Sequence, residues 1–249
     1  MNHTITVTGI IMAQTPMGEF DKRIVLLTKE RGKISAFAKG ARKPNSPLIG
    51  ATNTFSFGRF QLFEGRTSYT VHSAVIDNYF AELRDDVEAA YYGFYFMDIA
   101  NYYTREANDE TQMMKLIYQT LRALAKKSIP NPLIRCIYEL KTMVINGEGP
   151  QVFQCMKCGK ETGDFIFSTA KGGIICADCK WEVADGMPLS GSTLYTLQYI
   201  TSSTIEKLYT FLVTEEVQEE LENLTERYLS VYMGKNFKSL EILETLISM

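Results

Sequence analysis

Four of the chain's five cysteines are spaced as C-x2-C-x17-C-x2-C: Cys155 and Cys158, then Cys176 and Cys179. Two residues between cysteines let one tight turn aim both sulfurs at one ion, and this spacing suits a four-thiolate zinc site. Gly159 follows the first pair, where a residue free to take positive φ can turn backbone N–H groups towards a thiolate. Between the pairs, "DFIFSTAKGGIIC" reads as a hairpin, with Phe165 and Phe167 alternating on one arm and Gly172-Gly173 supplying the turn.

Three chemistries compete for these cysteines. A disulfide framework belongs to secreted domains, and the opening "MNHTITVTGIIMAQ" has no basic stretch followed by an apolar one. A thioredoxin-type site uses one Cys-x-x-Cys on a βαβ unit, and no such unit is visible. A zinc ribbon uses both pairs at once and is the expectation. Four protein ligands leave no open position on the metal, so its role is structural. Cys136 sits mid-helix at an apolar position and reads as core.

Residues 1–80 read as five strands, at residues 4–12, 22–28, 32–40, 52–63 and 68–76, with turn signals at Pro16, Gly18, Gly32, Pro44–Pro47 and Gly65. Short strands with no helical period between them point to a small closed barrel. This stretch carries ten Lys and Arg against five Asp and Glu, whereas residues 81–249 carry sixteen against twenty-four. A basic front on an acidic body suits a polyanion-binding module with a different partner behind it; chance segregation of charge is the alternative.

In "KISAFAK", alternation places Ile34, Ala36 and Ala38 inside a barrel and Lys33, Ser35, Phe37 and Lys39 outside. A Phe flanked by cations suits base stacking with phosphates on either side, although the ordinary place for a Phe is the core. The strand runs into "KGARKPNSP", where Lys39, Arg42 and Lys43 crowd one loop and attract phosphate. Phe55, Phe57, Arg59, Gln61 and Phe63 share one parity on the next strand. His3 and His72 are isolated strand residues.

The remainder reads as helices. "AAYYGFYFMDIANYY" is too short to span a membrane and is interrupted by Asp98, so it reads as a buried helix. A second helix starts at an Asn108/Asp109 cap with Asp109 and Glu110 in its first turn, and a third takes Asn131 as cap and Pro132 at its first position. Residues 190–203, 215–233 (capped by Thr214) and 237–248 follow. No Walker A, Rossmann or H-E-x-x-H motif is present, and the acids at Asp85-Asp86 and residues 215–222 suit helix starts and solvated faces. No enzymatic activity is expected.

The order of parts and two passages carry a resemblance. "GIIMAQTPMGEFDKRIVLLTKERGKISAFAKGARKPNSPLIG" and "INGEGPQVFQCMKCGK" are similar to the N-terminal signature and the zinc-segment entry of the bacterial recombination-mediator family RecO. The resemblance covers essentially the whole chain. It implies an α+β, multidomain protein: a five-stranded OB-fold β-barrel over residues 1–80, then an α-helical domain in two parts, residues 81–150 and 186–249. A four-cysteine zinc ribbon at residues 151–185 interrupts the helical domain. It further implies binding of single- and double-stranded DNA, annealing of complementary strands, and joining of RecR. Such a protein acts on DNA coated by single-strand-binding protein (SSB), whose C-terminal tail it binds through the helical body, and helps RecA load there. Lys39, Arg42 and Lys43 fall in the family's basic "KG-R" segment, and Lys33, Phe37 and Arg59 complete the expected DNA contacts. The four cysteines match the zinc-type members. Other members lack them, so zinc is not the source of the shared activity. A cytoplasmic, nucleoid-associated address with no membrane contact is expected. Two alternatives stand beside this: a zinc-ribbon protein–protein adaptor without nucleic-acid binding, and a metal-dependent nuclease or ligase-like enzyme.

Overall fold

The computed structural model describes residues 3–247. In chain order its elements are β1 (His3–Met17), β2 (Asp21–Thr28), β3 (Gly32–Ala38), the one-turn α1 (Leu48–Ala51), β4 (Phe57–Glu64), β5 (Tyr69–Asn78), α2 (Val87–Tyr103), α3 (Thr111–Lys126), α4 (Asn131–Ile145), β6 (Phe165–Ser168), β7 (Gly173–Cys176), β8 (Gly186–Pro188), α5 (Gly191–Ser202), α6 (Glu215–Tyr232) and α7 (Lys238–Ile247). The chain divides into two compact units. One is formed by residues up to Ala125 together with those from Phe237 on, the other by Lys126–Asn236. Residues 1–80 therefore share a unit with α2, most of α3, and α7.

In the first unit the five strands close into a barrel in the order β1-β2-β3-β5-β4, the OB-fold arrangement. Closure works because β1 is long enough to serve two partners. Its first half pairs with β4 and its second half with β2, and a bulge between Ile11 and Ala13 bends it from one to the other. β3 and β5 close the ring through a short parallel pairing, Ala36 with Tyr69 and Phe37 with Thr70. Inward side chains fill the interior: Val7 and Ile11 from β1, Ile24 and Leu26 from β2, Ile34 and Ala36 from β3, Phe60 and Leu62 from β4. Where β1 crosses β4, Gly9 faces Gly58, and a Cβ on Gly58 would lie 2.2 Å from the Val75 carbonyl oxygen. Only a residue without a side chain lets strands coil this tightly. Gly58→Ala is therefore expected to lower stability by about 3 kcal/mol, as forced overpacking does; an unchanged denaturation midpoint would refute this.

The fourth strand begins five residues later than the alternation of residues 52–63 implies. Leu48–Ala51 makes a helical turn closed by Thr52, whose hydroxyl donates to the Leu48 carbonyl (2.7 Å). Phe55 then takes a left-handed backbone (φ 76°) and turns inward. Its ring is buried and stacks on Phe94 of α2 at 5.0 Å. Burying that ring outweighs continuing the strand. α3 likewise starts later than expected, so Asp109 and Glu110 precede it. Asp109 Oδ1 accepts from the Thr111 N–H (3.0 Å), while the Glu110 carboxylate turns back to the Arg105 N–H (2.9 Å). α7 returns to pack on α2, with Phe237 edge-on to Tyr95 and Tyr102, and Ser239 donating to Asp98 (2.6 Å). Ser248, expected in this last helix, lies outside the described residues.

The second unit packs α4 against α5 and α6 through buried Leu133, Ile137, Leu140, Leu197, Ile200, Leu221 and Leu224. Ser190 caps α5 and Thr214 caps α6, each hydroxyl accepting an N–H three residues on. Asn131 is not the cap of α4. The first helical bond runs from the Ile134 N–H to the Pro130 carbonyl (3.1 Å), which makes Pro130 the boundary residue. The buried Lys141 ammonium donates to the carbonyls of Ile200 (3.2 Å), Thr201 (2.9 Å) and Ser203 (2.7 Å), closing the end of α5.

Candidate metal centre and nucleic-acid interface

The hairpin β6–β7 expected between the cysteine pairs is present, with Phe165 opposite Cys176 and Gly172 (φ 72°) in the turn. β8 extends it to a three-stranded sheet in the order β7-β6-β8. Buried Phe167 meets Tyr228 of α6 edge-on at 5.8 Å, which ties this small sheet to the helices of its unit. Each Cys-x-x-Cys makes a tight turn: the Gly159 N–H donates to the Cys155 carbonyl and the Cys179 N–H to the Cys176 carbonyl, both at 2.9 Å. Gly159 has φ 74°, as its place after the first pair requires.

These turns bring all four sulfurs within 4.8 Å of one another, with Cys158 and Cys176 3.6 Å apart. Tetrahedral bonds of about 2.3 Å to a common ion set sulfurs roughly 3.8 Å apart, so the cage fits a four-coordinate metal. All five cysteines are free of disulfides. Burial pushes the Cys155 thiol up, but N–H groups of Cys176, Cys158 and Lys157 outweigh it and bring the thiol down to about 6. The Cys176 N–H donates to Cys155 Sγ at 3.3 Å. Burial and the neighbouring sulfurs of Cys176 and Cys158 push Cys179 up to about 12. A metal binds thiolates rather than thiols, so filling the cage releases protons. Lys157 pairs with Glu182, and Lys160 with Asp178 (2.8 Å), placing cations beside a cluster that is anionic once metallated. Cys136 is buried in α4, and that burial pushes its thiol up, as befits an inert core residue.

The basic residues are less tightly gathered. On β3, Ile34, Ala36 and Ala38 are buried, and Lys33, Ser35 and Phe37 face outward half-buried. Lys39, Arg42 and Lys43 form an exposed turn directly after β3. This turn folds onto the β1–β2 connection: the Arg42 N–H donates to the Phe20 carbonyl (2.8 Å), its guanidinium to the Gly18 carbonyl (3.2 Å), and Lys43 Nζ lies 5.6 Å from the Phe20 ring centre. Gly40 N–H donates to Asp21 (2.7 Å) and fixes the turn's start. Lys33 lies at the other end of β3, its ammonium on the Asn101 carbonyl oxygen (2.6 Å) and side chain (3.2 Å). Arg59 is exposed on β4, beyond β5 in the barrel order. Of the aromatics on its strand, Phe57 packs on Tyr118 at 4.5 Å, while Phe63 is exposed beside His72 at 5.0 Å. Two residues escaped the sequence reading. Phe20 lies in a turn without period, and Arg23 faces Phe37 across the β2–β3 pair, which strand register alone would have revealed.

Residues 1–80 match the family model "Recombination protein O N terminal" and residues 84–241 match "Recombination protein O C terminal". The chain belongs to the RecO family. Members similar to it include the DNA repair protein RecO of Acetivibrio thermocellus, 33% identical over 99% of this chain and 98% of that protein. The RecO of Alkaliphilus metalliredigens is 31% identical, covering 96% and 98%, and that of Symbiobacterium thermophilum 30%, covering 97% of each. RecO membership assigns the chain a role in DNA repair and recombination. Among the described residues, no helix is long and apolar enough to cross a membrane.

Proposed function

We propose that this protein is a non-catalytic recombination mediator. It binds single- and double-stranded DNA through its barrel, anneals complementary strands, and with RecR helps RecA load onto SSB-coated DNA. The observation that carries this reading is the turn of Lys39, Arg42 and Lys43 folded against the β1–β2 connection. In OB-folds, that connection and the β2–β3 face are where oligonucleotides bind. Exposed cations there displace counterions from phosphates, which gives affinity with little sequence preference. Outward Phe37 and exposed Phe20 offer stacking surfaces beside them. Strands held with screened charge and accessible bases can then pair.

The metal we assign is zinc, held by Cys155, Cys158, Cys176 and Cys179. Its part is to hold the β6–β8 sheet together rather than to react, since the four thiolates fill its coordination. In this reading the SSB tail binds the helical body.

The test is annealing of complementary oligonucleotides coated with SSB, followed across a salt series. Acceleration that fades as salt rises is expected. No acceleration, together with no DNA binding at low salt, would refute the reading in favour of a protein–protein adaptor.

A further inference from the structure

Within the first unit, a cleft of about 450 Å³ opens on the outer face of β2 and β3 and is walled on its far side by the chain leaving α2. Arg23, Lys33 and Ser35 line it from the barrel, and Asn101, Arg105 and Glu106 from the other wall. The walls are fastened together by backbone. The Lys33 N–H donates to the Arg105 carbonyl (2.9 Å) and the Ala107 N–H to the Arg31 carbonyl (3.1 Å). Gly32, at φ 64°, allows this approach, because a Cβ there would meet the Arg105 carbonyl oxygen at 2.4 Å. The cleft is thus built into the unit rather than formed by a loose loop.

Its charge is unbalanced: three cations face one carboxylate. Arg23 Nε donates to Ser35 Oγ (2.8 Å), and among the described residues the guanidinium has no carboxylate partner. Arg105 spends Nη1 on the carbonyls of Tyr102 (2.5 Å) and Thr104 (2.9 Å) at the end of α2. Its Nε and Nη2 carry no protein partner among the described residues, and that edge is the one that grips two oxygens of a phosphate at once. Arg23 also stands directly across from outward-facing Phe37.

We infer that this cleft seats one unstacked nucleotide of single-stranded DNA, its phosphate gripped by Arg23 and Arg105. The inference rests on the DNA-binding reading above and extends it from the 39–43 turn to a residue outside the barrel. The volume lies in the range that encloses a small ligand. A base in a duplex is stacked and paired and cannot enter such a recess, whereas a single strand can splay one out. The cleft therefore selects single strands, while the exposed 39–43 turn accepts phosphates of either form.

The test uses the full chain and fluorescence anisotropy, with labelled oligo(dT) and a blunt duplex of equal length as probes, each across a salt series. Arg23→Gln/Arg105→Gln is expected to weaken oligo(dT) binding about tenfold and to flatten its salt slope by about 1.4, with duplex binding changed less than about twofold. Because Arg105 also closes α2, Ser35→Glu serves as a second variant. It sets a carboxylate against Arg23, leaves the helix untouched, and is expected to weaken oligo(dT) binding selectively as well. Equal losses on both probes would overturn the single-strand assignment. Unchanged oligo(dT) binding in both variants would overturn the cleft and leave the 39–43 turn standing. A wild-type protein that binds neither probe would overturn both.

Discussion

Replacing Cys176 with Ser is expected to open residues 150–185 to proteolysis and to abolish a zinc content of one ion per chain. Cys176 ends β7 and serves the cage twice: its sulfur lies 3.6 Å from Cys158 and its N–H donates to Cys155 Sγ. β6 and β7 have four residues each and β8 three. Strands this short do not persist without a hydrophobic face or a cross-link. A structural zinc contributes on the order of 10 kcal/mol to folding of such a segment. The barrel core draws all its residues from the first 80, so oligo(dT) affinity should stay within about twofold, as expected of independent sites. Limited proteolysis and metal analysis together check this; an unchanged digestion pattern with full zinc content would sink it.

The second large effect concerns the basic turn. Lys39→Ala/Arg42→Ala/Lys43→Ala is expected to weaken single-strand binding about a hundredfold at roughly 0.1 M salt and to flatten the salt slope by about 2, from about 0.7 per lost phosphate. The turn itself should survive. The Arg42 N–H to Phe20, the Lys43 N–H to Gly40 and the Gly40 N–H to Asp21 are all backbone donors that alanine retains. A triple variant with wild-type affinity and slope would show that the turn does not touch DNA.

How far the sequence alone led can be judged from particular residues. The cysteine spacing was sufficient because ligand geometry leaves few solutions: two tight turns and a hairpin were readable before any coordinate. β3 was equally legible, since strict alternation between a filled interior and solvent produces its burial pattern. Phe55 was not. Its parity fits the strand, and only its packing on α2, against Gly93 and the half-exposed ring of Phe94, explains why it leaves. Glu110 misled for a similar reason, because an acid near a helix start usually serves that helix, and here it serves the Arg105 N–H instead. Arg105 had no local signal at all. Its significance comes from a backbone pairing between residues 33 and 105, a separation that no local pattern encodes.

The return of α7 to α2 also has a consequence for biosynthesis. Tyr95 and Tyr102 present the surface that Phe237 covers, yet the ribosome must first make the whole of Lys126–Asn236. At about 5–20 residues per second, α2 waits roughly 6–22 s with that aromatic surface uncovered. Through this interval the nascent chain carries a sticky patch, because every residue of the second unit is made before those that complete the first.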